Sequence, residues 1–95
     1  MDCANVRFSG HAVTRLFERD LSKDDVLDVL KHGESIANYP NDNPYPSQLI
    51  LGYIGCRPIH IVAAQDTASQ TCFIVTAYQP DPALWSADFK TRRNV

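Results

Sequence analysis

The sequence predicts an α+β domain in which two N-terminal helices pack on a curved, mostly antiparallel four-stranded sheet. Three observations carry this expectation. Apolar residues recur at helical spacing up to Gly33, and from Glu34 onward the period shortens to two. The later apolar runs are separated by short turns, Gly55-Cys56 and Asp66 to Gln70, which is how an antiparallel meander reads. The chain has 95 residues, 44% of them apolar, enough for one core and one domain over 1–95.

Asn5 to Phe8 is expected as a short first strand. The first helix follows from about Gly10 to Arg19, with Ser9 placed to cap it. On a wheel of about 100° per residue, Ala12, Val13, Leu16 and Phe17 form one apolar arc. Ser22 and Asp25 resemble a capping box for the second helix, whose buried face is Val26, Leu27, Val29 and Leu30. Asp24 and Asp25 suit its positive end, Lys31 and His32 its negative end, and Gly33 is the expected C′ residue. Glu34 to Tyr39 reads as a strand. Pro40-Asn41-Asp42-Asn43-Pro44-Tyr45-Pro46 is a stiff loop, because each proline fixes its own φ and restricts its predecessor. Strands then run from Ser47 to Ile54, Arg57 to Gln65 and Thr71 to Gln79. Pro80-Asp81-Pro82 stops the last one, and Trp85 folds back over an end of the core.

Both faces of the third of these strands are apolar, with Ile59, Ile61 and Ala63 on one side and His60, Val62 and Ala64 on the other. Helices cover one face. A loop, the C-terminal segment or a second subunit must cover the other, so a homodimer is one expectation.

Net charge is −2, against a broad nucleic-acid grip by a basic surface. No apolar run spans a bilayer and no signal peptide opens the chain, so no membrane partner and a cytoplasmic location are expected. Cys3, Cys56 and Cys72 are odd in number and far apart, without metal-ligand spacing. The expectation is no disulfide and no metal, with Cys72 a small core residue and Cys3 and Cys56 reduced thiols.

His11, Arg15 and Arg19 stand at i, i+4 and i+8, along one edge of the first helix's apolar arc. A histidine and two guanidiniums there suit an anion such as phosphate. The same spacing suits the polar side of an ordinary amphipathic helix, or a network of His11, Arg15 and Glu18 that pins helix to sheet. His60 is the one ionisable group in the run Pro58 to Ala64, a satisfied structural residue or a general acid or base. Tyr39 and Tyr45 flank the proline loop and form one wall of a cleft. Thr76 and Tyr78 share a strand face.

The set His11-Ala12-x-x-Arg15-x-x-Glu18-Arg19, Tyr39-Pro40-x-Asp42-x-Pro44-Tyr45-Pro46-Ser47, Leu51-Gly52, Arg57-Pro58-Ile59-His60-Ile61-Val62 and Thr76-x-Tyr78-x-Pro80-Asp81-x-x-x-Trp85 resembles a small bacterial domain-of-unknown-function family. That family in turn resembles the RelE-like ribonuclease toxins of toxin–antitoxin systems. The resemblance implies a metal-independent endoribonuclease without cofactor, acting on RNA and held by an antitoxin protein. It implies His11 and His60 as acid and base, and Arg15 and Arg19 as phosphate stabilisers. Tyr78 would stack on a base or carry a proton, with Tyr39, Tyr45 and Arg57 as further substrate contacts. RelE-like enzymes carry several Lys or Arg on the sheet, whereas this chain has only Arg57 there, at a turn. The alternative expectation is a non-catalytic interaction module with the same fold.

Overall fold

A computed structural model describes residues 1–94. The elements are β1 (Asn5–Phe8), α1 (Gly10–Glu18), α2 (Lys23–His32), β2 (Glu34–Tyr39), β3 (Ser47–Ile54), β4 (Arg57–Asp66) and β5 (Thr71–Tyr78). The sheet has five strands in the order β1-β5-β4-β3-β2, not four, and it is mixed. β2 to β5 form the expected antiparallel meander. β1 precedes both helices and adds to the far edge parallel to β5, with Val6 opposite Cys72 and Phe8 opposite Ile74. Four residues carry too short a pattern to announce that pairing. It is secured outside the strand, where Ala4 N–H donates to Gln70 O at 2.8 Å and Gln65 Nε2 donates to Asp2 O at 2.6 Å.

Parallel pairing also corrects the cysteine expectation. Cys3 and Cys72 form a disulfide, with Cα atoms 5.7 Å apart and a sequence separation of 69. Placing β1 beside β5 is what brings them together, and spacing in the chain cannot reveal it. Cys72 is fully buried, and Cys56 is a free, exposed thiol.

Both helices start as their caps dictate. Ser9 Oγ accepts from Ala12 N–H at 3.0 Å, and Ser22 and Asp25 form a reciprocal capping box. At the end of α2, Gly33 is not left-handed as the C′ assignment requires, but extended at φ −75° and ψ 170°. Its lack of a side chain serves packing instead, since a Cβ there would run into the carbonyl of Val29. α1 is followed by Asp20 at φ 55°, a left-handed residue that turns the chain toward α2.

Register separates the two faces of the sheet. Ile50, Ile59, Ile61, Ala63, Ile74 and Ala77 face the helices and bury Leu16, Leu21, Val26, Val29 and Leu30. α1 lies over β5 at the side of the sheet, so only Ala12 and Leu16 of its apolar arc are buried. Val13 is 38% exposed and Phe17 88%, against the expectation that both join the core. Leu27 of α2 is likewise left partly exposed. The other face is covered by the proline loop and by a strap formed by residues 80–94.

Candidate functional site

Residues directly opposite in a sheet share a face, so the strand register defines three rows across the strap-side face. One row is Tyr39, Ser47, Ala64, Phe73. The next is Ala37, Leu49, Val62, Thr76, and the third is Glu34, Leu51, His60, Tyr78. The proline loop caps the first row, with Tyr45 stacked on Phe73 at 5.4 Å between centroids and 6° between planes. The strap caps the third row, with Trp85 edge-on to His60 at 4.5 Å. The middle row is left as the floor of a trough between the two covers, and Val62 and Thr76 on it are only half-buried. Beside Tyr39 the trough opens into a cleft of about 590 Å³ lined by Pro40, Asp42, Ser47 and Val62.

His60 is fully buried, and both ring nitrogens have partners. Nε2 lies 2.7 Å from the carbonyl of Phe89. A carbonyl can only accept, so Nε2 carries the hydrogen and Nδ1 of the neutral ring presents a lone pair. Tyr78 Oη, 3.3 Å from Nδ1, therefore donates to it. Burial lowers the His60 pKa, opposed by the bond to Phe89 O, so the neutral ring is favoured. The Tyr78 phenol is pushed up, first by burial and then by Tyr39, while Arg92 pulls it down. Phe89 sits at φ 56°, a strained setting for a bulky side chain that turns its carbonyl onto His60. The strap turn is held by Asp88 Oδ1, which accepts from Lys90 N–H at 2.9 Å and Thr91 N–H at 3.3 Å.

The other residues singled out in the sequence fall in three places. Arg19 reaches round β5 beyond the end of β1, where its Nη1 donates to Ala77 O at 2.7 Å and approaches Thr76 Oγ1 at 3.4 Å. Arg57 ties down the end of α1, with Nη1 donating to Asp20 O at 3.1 Å and Nη2 to Arg19 O at 3.2 Å. Arg15 is exposed and paired only with Glu18, at 3.5 Å. His11 is exposed on α1, on the helix side of the sheet, whereas His60 faces the strap. The expected convergence of His11 and His60 is thereby corrected. Helix one packs on one face through Ala12 and Leu16, and strand alternation sends His60 to the other. The proposed pinning network of His11, Arg15 and Glu18 is corrected too, since Arg19 and Arg57 join helix to sheet.

Tyr39, Tyr78, His60 and, through Thr76, the tip of Arg19 belong to the trough side. Arg92 is the addition that sequence reasoning missed. Its guanidinium lies 5.7 Å from the Trp85 ring centroid, which brings the tail back over the sheet. Trp85 itself was legible as a cover. Among the described residues, no group of three or more His, Cys, Asp or Glu side chains could hold a metal ion. Nor is any described helix long and apolar enough to cross a membrane.

Fold and site together define a small α+β domain with an aromatic trough across the free face of its sheet and a buried histidine behind one wall. The family described as Domain of unknown function (DUF4258) matches residues 8–79, and the chain belongs to it. Comparison with curated proteins and with solved structures gives no match.

Proposed function

We propose that this chain is a toxin-type, metal-independent endoribonuclease that holds a single RNA strand in the trough, with Tyr78 meeting the substrate and His60 behind it. The observation that supports this reading is the Tyr78 hydroxyl, aimed into the Nδ1 lone pair of a buried neutral His60, one row across from the Val62 that lines the open cleft. Bases stack on exposed aromatic rings with little sequence demand, and Tyr39 supplies such a ring, with the half-buried Tyr78 behind it. RNA cleavage without metal proceeds by attack of the ribose 2′-oxygen on the adjacent phosphorus. The 2′-proton passes to the Tyr78 oxygen as the phenolic proton moves to His60 Nδ1. The P–O5′ bond breaks, the 5′-oxygen takes a proton from water, the hydroxide so formed takes back the His60 proton through Tyr78, and a 2′,3′-cyclic phosphate is left. Arg92, whose charge already acts on Tyr78, is the cation that would meet the charge developing on phosphorus. His60 thus acts through Tyr78, and His11 has no part in the step.

The test is a labelled RNA incubated with the folded protein, with and without ribosomes. Tyr78→Phe should lower cleavage by about 10²–10⁴-fold, the usual worth of a positioned acid or base, in a protein that still melts cooperatively, at a somewhat lower temperature because buried His60 Nδ1 loses its partner. Cleavage should persist in EDTA. A folded wild type that leaves RNA intact in both settings overturns the reading.

A second reading, a non-catalytic interaction module that binds an antitoxin-like protein or another copy of itself, is favoured by one observation. Phe17 is 88% exposed on α1 beside the partly exposed Val13. Under that reading Phe17→Ser abolishes a measurable self-association or complex. Under the first it leaves RNA cleavage untouched.

A further inference from the structure

The loop side of the trough carries polar groups that the ribonuclease reading does not use. Asp42 Oδ2 accepts from Ser47 Oγ at 2.7 Å, and its Oδ1 accepts from Asn43 N–H at 3.0 Å. Ser47 is only 2% exposed, so the carboxylate is anchored from within the fold. Asp42 N–H donates to Tyr39 O at 3.2 Å, which ties the carboxylate to the residue bearing the aromatic wall. Pro40, Pro44 and Pro46 stiffen the segment around it. Each carboxylate oxygen keeps a further lone pair after these bonds. The group stands at the rim of the cleft of about 590 Å³, beside a Tyr39 ring that is 44% exposed.

A fixed carboxylate accepts donors and repels acceptors. Guanine is the one common RNA base with two N–H groups side by side on its pairing edge, at N1 and N2. Adenine and cytosine set an acceptor ring nitrogen beside their amino group, and uracil sets its one N–H between two carbonyls. Asn41, also on the cleft wall, offers an amide N–H for guanine O6. We infer that this cleft is a base pocket that selects guanine, stacked against Tyr39 and read by Asp42. The inference rests on the ribonuclease reading for the strand that carries the base, although recognition of the base can be measured without cleavage.

The experiment is isothermal titration calorimetry of the full chain with guanosine, inosine, adenosine, cytidine and uridine 3′-monophosphates. The guanosine nucleotide should bind about tenfold or more tightly than the adenosine, cytidine and uridine ones, the usual scale of a two-pronged contact to a base. The inosine nucleotide, lacking the 2-amino group, should fall between. Asp42→Asn keeps an oxygen for Ser47 and should erase the preference with an unchanged circular-dichroism spectrum. Tyr39→Ala should weaken all five nucleotides together. Equal affinities in the wild type overturn the inference, as does a guanosine preference that survives Asp42→Asn. If Asp42→Asn disturbs the loop, the guanosine–inosine difference in the wild type decides. A chain that prefers guanosine yet cuts no RNA keeps this inference and loses the ribonuclease reading. A chain that cuts RNA with no base preference does the reverse.

Discussion

The two faces of the sheet are sealed by different means. On the helix side, branched apolar residues repeat on every central strand. Ile50, Ile59 and Ile61 meet Val26, Val29 and Leu30, all within 3% of complete burial. That seal is redundant, and among the described residues its buried core holds no titratable side chain. On the strap side, irregular segments make the seal, Tyr45 on Phe73 and Trp85 with Phe89 on His60. It depends on a few aromatic contacts and one imidazole with two partners. Stability thus belongs to the face built by repetition, and the candidate site to the face built from single contacts, where covers leave a gap and a polar group sits inside.

The comparison breaks most visibly under truncation. Ile61→Ala, at a position with no exposure, should cost about 2–5 kcal/mol in chemical denaturation. Val62→Ala, one residue away but half-buried on the trough floor, should cost clearly less. Equal costs would mean that the faces do not differ as described.

Acid should act next, and on the strap side. Unfolded His60 takes up a proton near pH 6.5, and the folded ring does so only at lower pH. Between those values the unfolded chain binds more protons, so the contribution of His60 is complete above about pH 6.5 and is lost as pH falls through the folded value. The groups around it offer no anion, since it meets a phenol, a carbonyl and the Trp85 ring, with Arg92 beyond. Trp85 is the single tryptophan, so its emission reports on the strap directly. Emission should shift to the red with falling pH before far-UV circular dichroism changes. A His60→Gln variant should lose that pH dependence, and simultaneous change of both signals in the wild type would deny the strap a separate response.

The smallest effect is expected outside both seals. Arg15→Ala removes an exposed pair with Glu18 and should change stability by less than about 0.5 kcal/mol. A sharp fall in melting temperature would restore the idea that this arginine joins helix to sheet.

Much of the helix side was legible in the sequence, because spacing and caps are local. Ser9, Ser22 and Asp25 mark where helices begin, and the alternation around Ile59 and Ile61 marks the sheet. Alternation also grouped His60 with Val62 and Ala64, and Thr76 with Tyr78, but the register that sets both groups on one face came only with the structure. The positions of Val13 and Phe17 were not legible, since an apolar arc gives a direction and not the width of the surface it meets. Arg19 was read as a phosphate ligand and Arg57 as a further substrate contact, yet both bond chiefly to backbone carbonyls brought near by tertiary packing. Arg92 and the Cys3–Cys72 bond depend on chain ends that return to the sheet, which no window of neighbouring residues contains.

The bond between Cys3 and Cys72 also divides the chain as a covalent graph. It closes a ring that contains both helices, β2, β3 and β4, and leaves Tyr78 and the whole strap on a free tail. Tyr39 and His60 lie on the ring, and Tyr78, Trp85 and Arg92 on the tail, so the trough is assembled from a cyclic part and a linear part. A protease cut in the proline loop opens the ring but leaves one molecule with every trough residue attached. A cut at Pro80 releases Trp85, Phe89 and Arg92 while the ring stays closed. Identical chemical damage, a single broken peptide bond, is thus contained in one half of the site and disassembles the other.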